Sequence, residues 1–185
     1  MTLLLKDGNV YYLLNMLSDT AMCSMCERDY ALESNVPIWK IENHENAICG
    51  TSPYTEFTFV RYDDSIFDCY INMKDLTNIS YPRIKEKLAS LDLLEDGMPR
   101  TSYIVAQNDK AYRIDFEGGA MELGDYFAIG NYSTVALYVA ELTKGMPIEK
   151  RIRKIVEYVS AALHVKAFPL AVMNTRDCKL EIWEK

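Results

Sequence analysis

Positive charge is scarce in this sequence. Lys and Arg number 20 against 27 Asp and Glu, giving a net charge of -7 and an isoelectric point near 4.9. The cations are also scattered, which excludes the clustered surface needed to neutralise nucleic-acid phosphates and disfavours an anionic membrane. Long apolar runs are missing too, since polar or charged residues interrupt every stretch well before bilayer-spanning length. The first residues lack the basic start and cleavage site of a signal peptide, so a cytoplasmic protein is expected. Cysteine is sparse and odd in number, at five. Without a secretion signal that fits free thiols better than a disulfide framework. No glycine-rich phosphate loop is present, because Gly118-Gly119 is an isolated pair that reads as a turn.

What remains is apolar and β-prone. Hydrophobic residues make up 49% of the 185, enough for a sizeable core, and the length favours one domain over 1–185. No repeat, low-complexity tract or dividing linker interrupts it. The most informative stretch is Asp125 to Lys144. Tyr126-Phe127-Ala128-Ile129 lies between Asp125 and Gly130 and predicts a strand buried on both faces. From Ser133 the spacing is helical: Ala136, Val139, Ala140 and Leu142 are expected on one face, and Lys144-Gly145 supplies a stop with a C-terminal cation and a C′ glycine. Pro147 suits the first turn of a second helix, Glu149 complements its dipole, and Ile148, Ile152, Ile155, Val156, Val159 and Leu163 form an apolar stripe. Two consecutive helices therefore cover one side of a sheet.

Hairpins account for most of the rest. Asp7-Gly8 turns Thr2–Leu5 into Val10–Leu14, and the return strand is apolar enough to be expected centrally, between two layers. Ser18 to Ser34 reads as a loop or irregular hairpin. Trp39-Lys40-Ile41-Glu42 and Ala47-Ile48-Cys49 flank a polar turn at Asn43 to Asn46, Ser102–Ala106 pairs with Ala111–Ile114, and Pro169–Met173 and Lys179–Trp183 are the last strands. Thr51-Ser52-Pro53 with Glu56 is a plausible helix start, although Phe57-Thr58-Phe59-Val60 reads equally well as a strand. Ser80-Tyr81-Pro82 starts a clearer helix, with Ile84, Leu88 and Leu91 before a break at Asp96-Gly97.

In this order the motifs resemble the proteasome β-subunit and HslV group of N-terminal-nucleophile (Ntn) hydrolases. Ala128-Ile129-Gly130 entering a helix pair is similar to that family's strand and helices. Leu3 through Val10 is similar to its first hairpin, Asn35–Ile41 through Ala47–Gly50 to its second, and Ser102-Tyr103-Ile104-Val105 with Asn108-Asp109 to its third. The resemblance covers most of the chain. It implies an α+β fold, specifically a four-layer α/β/β/α sandwich of Ntn-hydrolase type, and it favours helix after Thr51. It also implies self-association, a homo-oligomer of the ring-forming kind, with no cofactor.

The resemblance further says where catalytic groups belong. In the family an N-terminal Thr attacks the peptide carbonyl, its hydroxyl activated by its own amine, with a Lys and an Asp in support. Thr2 matches the nucleophile if Met1 is removed, although Thr is also an ordinary strand former. The Asp position falls on Asn15, and no carboxylate occurs between Asn9 and Ser18. The Lys position falls on Ile38, leaving Lys40, two residues later on the same strand face, as the rescue candidate, with a solvated lysine as its plainer reading. The family's Ser after the glycine is Asn131, still a hydrogen-bond donor, and Tyr132 beside it is expected to crowd the oxyanion region. Ala161-Ala162-Leu163 is apolar where the family carries a further Asp. These substitutions remove charge at separate places. The expectation is a family member without peptidase activity that acts through assembly or partner binding; the alternative is an active threonine peptidase using Thr2 and Lys40.

A third reading comes from Cys23-Ser24-Met25-Cys26, whose spacing suits half a zinc site or a redox pair. Zinc would need two further ligands, and Cys49, Cys69, Cys178, His44 and His164 are all singletons in the sequence. His44 reads as a solvated turn residue, and His164 as either a helix-end cation or a buried, satisfied ring. Asp63-Asp64 with Asp68 lacks calcium-loop spacing, and most of the 13 tyrosines are expected to be half-buried packing.

Overall fold

The structure is a computed structural model describing residues 1–16, 41–44, 47–52, 94–95, 98–99, 102–114, 120–130, 132–164 and 168–184. In chain order the strands are β1 (Thr2–Asp7), β2 (Val10–Met16), β3 (Ile41–His44), β4 (Ala47–Ser52), β5 (Leu94–Glu95), β6 (Met98–Pro99), β7 (Ser102–Gln107), β8 (Lys110–Ile114) and β9 (Ala120–Glu122), followed by β10 (Tyr126–Ile129), β11 (Leu170–Asn174) and β12 (Glu181–Trp183). Helices α1 (Ser133–Leu142) and α2 (Ile148–Leu163) lie between β10 and β11. One antiparallel sheet has the order β10-β1-β2-β11-β12, a second has β3-β4-β7-β8-β9, and β5 and β6 form a small hairpin.

Local chemistry explains the pairings. Gly8 takes φ +57° in the first turn, a conformation that costs glycine nothing, and fixes the register in which Asp7 pairs with Val10 and Thr2 with Asn15. Asn108 does the same at φ 54° between β7 and β8. Because side chains alternate across a strand, β1 and β2 split their apolar residues between two cores. Leu3, Leu5, Leu14 and Met16 pack with Ala136, Val139, Ala140, Ile152, Ile155, Val156 and Val159 of the helices. Leu4, Tyr11 and Leu13 pack with Ile41, Ile48, Ile104, Ala106 and Ala111 of the second sheet. Both faces are covered, which is why the strands read as nearly unbroken apolar runs. The fold is α+β, and the two described helices lie on one face of an antiparallel sheet.

Four expectations need correction. β10 is not buried on both faces along its length: it is the edge strand of its sheet, so Tyr126 and Phe127 are half-buried while Ala128 and Ile129 are buried. Leu142 is 65% exposed, and the fourth place in the α1 stripe belongs to Thr143, whose hydroxyl donates to Val139 O at 2.7 Å. Thr143 caps α1, so Gly145, at φ +84°, stands one residue further out than a C′ glycine. The second hairpin is tighter than its sequence suggests, because β3 continues through His44, which pairs with Ala47. β4 runs on through Thr51 and Ser52. The expected helices after Pro53 and from Ser80 to Leu91, like the segment Ser18 to Ser34, lie outside the described residues.

Helices and sheet are also joined by a buried cation. Arg151 is 5% exposed; it donates to Ala140 O at 2.9 Å and Lys6 O at 3.4 Å, and burial lowers its guanidinium from the usual range. Among the described residues, no helix is long and apolar enough to cross a membrane.

Candidate functional site

Thr2 opens β1 and is flanked by Asn15 on β2 and Ile129 on β10. Strand alternation sends Met1 and Thr2 in opposite directions. Met1 is 2% exposed within the core under the helices. Thr2, fully buried, faces the second sheet: a Cβ built on Gly50 would stand 2.7 Å from Thr2 Cγ2 and 2.9 Å from Leu13 Cδ2. Gly50 pairs with Ile41 and Ile104, so it lies in the facing sheet, and the two sheets approach closely at Thr2 because position 50 has no side chain.

Sequence reasoning gave Gly50 only as the end of an apolar run. The available signal was a glycine inside a strand, which marks a bulge or a close backbone approach without naming the partner. Gly50→Ala is expected to lower stability by about 1–3 kcal/mol, the usual cost of overpacking a filled core, with Thr2 and Leu13 both forced to move. Urea unfolding of Gly50→Ala, Leu13→Ala and the double variant checks it. The double should be less destabilised than the sum, because truncating Leu13 removes one of the two side chains that the new methyl meets.

Asn15 is fully buried beside Thr2. Its Nδ2 donates to Met1 O at 3.2 Å and to Thr2 Oγ1 at 3.3 Å, while Met16 N donates to the same Met1 carbonyl at 3.3 Å. The amide thus hydrogen-bonds the hydroxyl as a donor. It cannot carry negative charge and cannot hold a lysine by charge, as a carboxylate there would. In the register of β1 and β2, Asn15 stands opposite Thr2.

Of the remaining candidates, Ile38, Lys40, Asn131, Cys23 and Cys26 lie outside the described residues. Tyr132 adopts φ 73° at the start of α1 and its ring packs on the core beneath the helices, not in the space between the sheets. His164 caps α2 at φ 53° and is exposed, so it is not the buried ring of its second reading. Cys178 is half-buried against the inter-sheet core. Burial pushes its thiol above the ordinary range and the Asp177 charge adds to this, the opposite of what a reactive thiolate needs. Among the described residues, no three His, Cys, Asp or Glu side chains come together as a metal site.

Compared by sequence, the chain matches no protein-family model and no curated protein. Compared by structure, it is similar to Thiobacillus denitrificans BPH, with a TM-score of 0.60 and 13% identity over 94% of this chain and 96% of that one. It is similar to Thiobacillus denitrificans BPH in complex with epoxomicin, at 0.61 and 14% over 94% and 96%. Eukaryotic HslV from Trypanosoma brucei gives 0.62 and 18% over 94% and 97%. The likeness spans nearly the whole of each chain, and at such identities it speaks for the fold alone: the chain has an HslV-like fold.

Proposed function

We propose that this protein is a proteasome- or HslV-like protein without peptidase activity, acting through assembly or partner binding. The observation that carries the reading is the Asn15 amide hydrogen-bonded to Thr2 Oγ1, at the place where the family resemblance puts a carboxylate. A threonine needs a proton acceptor in reach and charged groups to hold that acceptor in its working state. At position 15 an amide donor replaces the charge.

In this reading residues 1–185 form one domain, a four-layer α/β/β/α sandwich. The protein is a cytoplasmic homo-oligomer, ring-forming after the habit of the family. Native mass spectrometry of the purified chain is the check on assembly, and a monomer at working concentration would count against it.

One observation favours the alternative, an active threonine peptidase. Thr2 faces the space between the sheets beside Gly50, and a protein of the same fold takes epoxomicin. The two readings separate by intact mass after incubation with epoxomicin. The expected result is an unmodified mass, whether Met1 is retained or removed. A stoichiometric adduct that disappears in Thr2→Ala would establish the peptidase instead.

A further inference from the structure

β8 places Ala111 and Arg113 on the face that meets the first sheet, since Ala111 belongs to the inter-sheet core and side chains alternate. Arg113 pairs with Ile104, and Ile104 with Gly50, so one row of the second sheet runs from the glycine that touches Thr2 to this cation. Across the gap, its guanidinium lies 5.6 Å from the centre of the Phe127 ring on β10. Phe127 pairs with Leu4 as Ile129 pairs with Thr2. The position is therefore the mouth of the inter-sheet cleft, two residues along from Thr2, with Met121, the other neighbour of Arg113, 49% exposed.

The guanidinium is incompletely used there. Its Nε is buried and has no acceptor among the described residues. Stacking on a ring satisfies the face of a guanidinium, whereas its five N–H donors lie in the plane and point past the ring edge. A buried charged donor without an acceptor is costly, and such groups in a native fold ask for a missing partner. The partner that fits a planar fork of donors is a carboxylate, held by two parallel hydrogen bonds. Beside it, β10 is the edge of its sheet, with one side of its backbone unpaired by any other described strand. An open edge accepts an extended chain.

We propose that this mouth binds an extended peptide segment of a protein partner through one acidic side chain, Arg113 taking the carboxylate and the β10 edge, which no other described strand pairs, taking the backbone. The inference goes beyond the loss of peptidase activity, because such a contact would select a partner for a silent fold and a substrate for an active one. Its test is independent of epoxomicin labelling.

The probe is N-acetyl-Leu-Glu-Leu-amide, compared with its Leu-Gln-Leu counterpart, titrated into the full ¹⁵N-labelled chain. The readout is the Arg113 Nε–H signal, assigned by its loss in Arg113→Lys. The glutamate peptide is expected to shift that signal saturably and to bind about tenfold more tightly than the glutamine peptide, the difference one charge-assisted hydrogen bond makes. Arg113→Gln is expected to erase the discrimination. The idea is overturned by no shift up to about 10 mM, the weak end of measurable affinity. An equal response to both peptides, or undiminished discrimination in Arg113→Gln, overturns it as well. The wild-type titration decides the matter even where the variant does not fold.

Discussion

Ile155→Ala is expected to lower the free energy of unfolding by about 2–5 kcal/mol, the range for emptying a fully buried branched side chain. Ile155 is 0% exposed on α2 and sits in the core that joins both helices to β1, β2 and β11. Two features place it high in that range. α1 meets this core through Ala136, Val139 and Ala140, and alanines have no side chain to swing into a cavity. Arg151, one turn earlier, is anchored to the backbone of Ala140 and Lys6, which resists collapse of α2 onto the sheet. Urea unfolding should show a lower midpoint with an unchanged slope, and Lys154→Ala, on the exposed side of the same helix, should stay within about 0.5 kcal/mol of wild type. A loss below about 1 kcal/mol for Ile155→Ala would mean that the helix pair is not the clamp on this sheet.

That stripe was legible in the sequence because helical periodicity and burial are both local properties. Ile152, Ile155, Val156 and Val159 repeat at the interval that one helix face requires, and all four are fully buried. The first hairpin was legible for the same reason, since Asp7-Gly8 fixes the register and the register alone sets Asn15 against Thr2. Errors came where the answer depends on what lies across space. An apolar run cannot say whether it is a central or an edge strand, and β10, apolar throughout, is an edge strand with Tyr126 and Phe127 half-buried. Hydrophobicity favours Leu142 for the stripe, whereas helical angle favours Thr143, and a threonine whose hydroxyl returns to Val139 O is cheap to bury. Gly50 and Arg113 carry no local signal that names a partner, because each matters through a residue on the opposite sheet: Thr2 for the glycine and Phe127 for the arginine.

Asn15→Asp is expected to cost about 3–5 kcal/mol at neutral pH, as an unpaired buried charge does, and much less in acid. The wild-type amide donates to Met1 O at 3.2 Å, and that carbonyl can only accept. An ionised aspartate would set negative charge against the carbonyl oxygen in a fully buried position, whereas a protonated one could still donate. The folded state therefore raises the pKa of the new carboxyl above its unfolded value of about 3.9. For a group raised in this way, stability is fully present below the unfolded pKa and falls as pH climbs towards the folded one. The gap between variant and wild type should thus be small near pH 3 and widen from about pH 4 upward, measured as paired urea midpoints at each pH. A variant as stable as wild type at pH 7 would place a cation within reach of position 15. Lys40 is the candidate for that role, and epoxomicin labelling of Asn15→Asp would then report whether restoring one carboxylate is enough to wake Thr2.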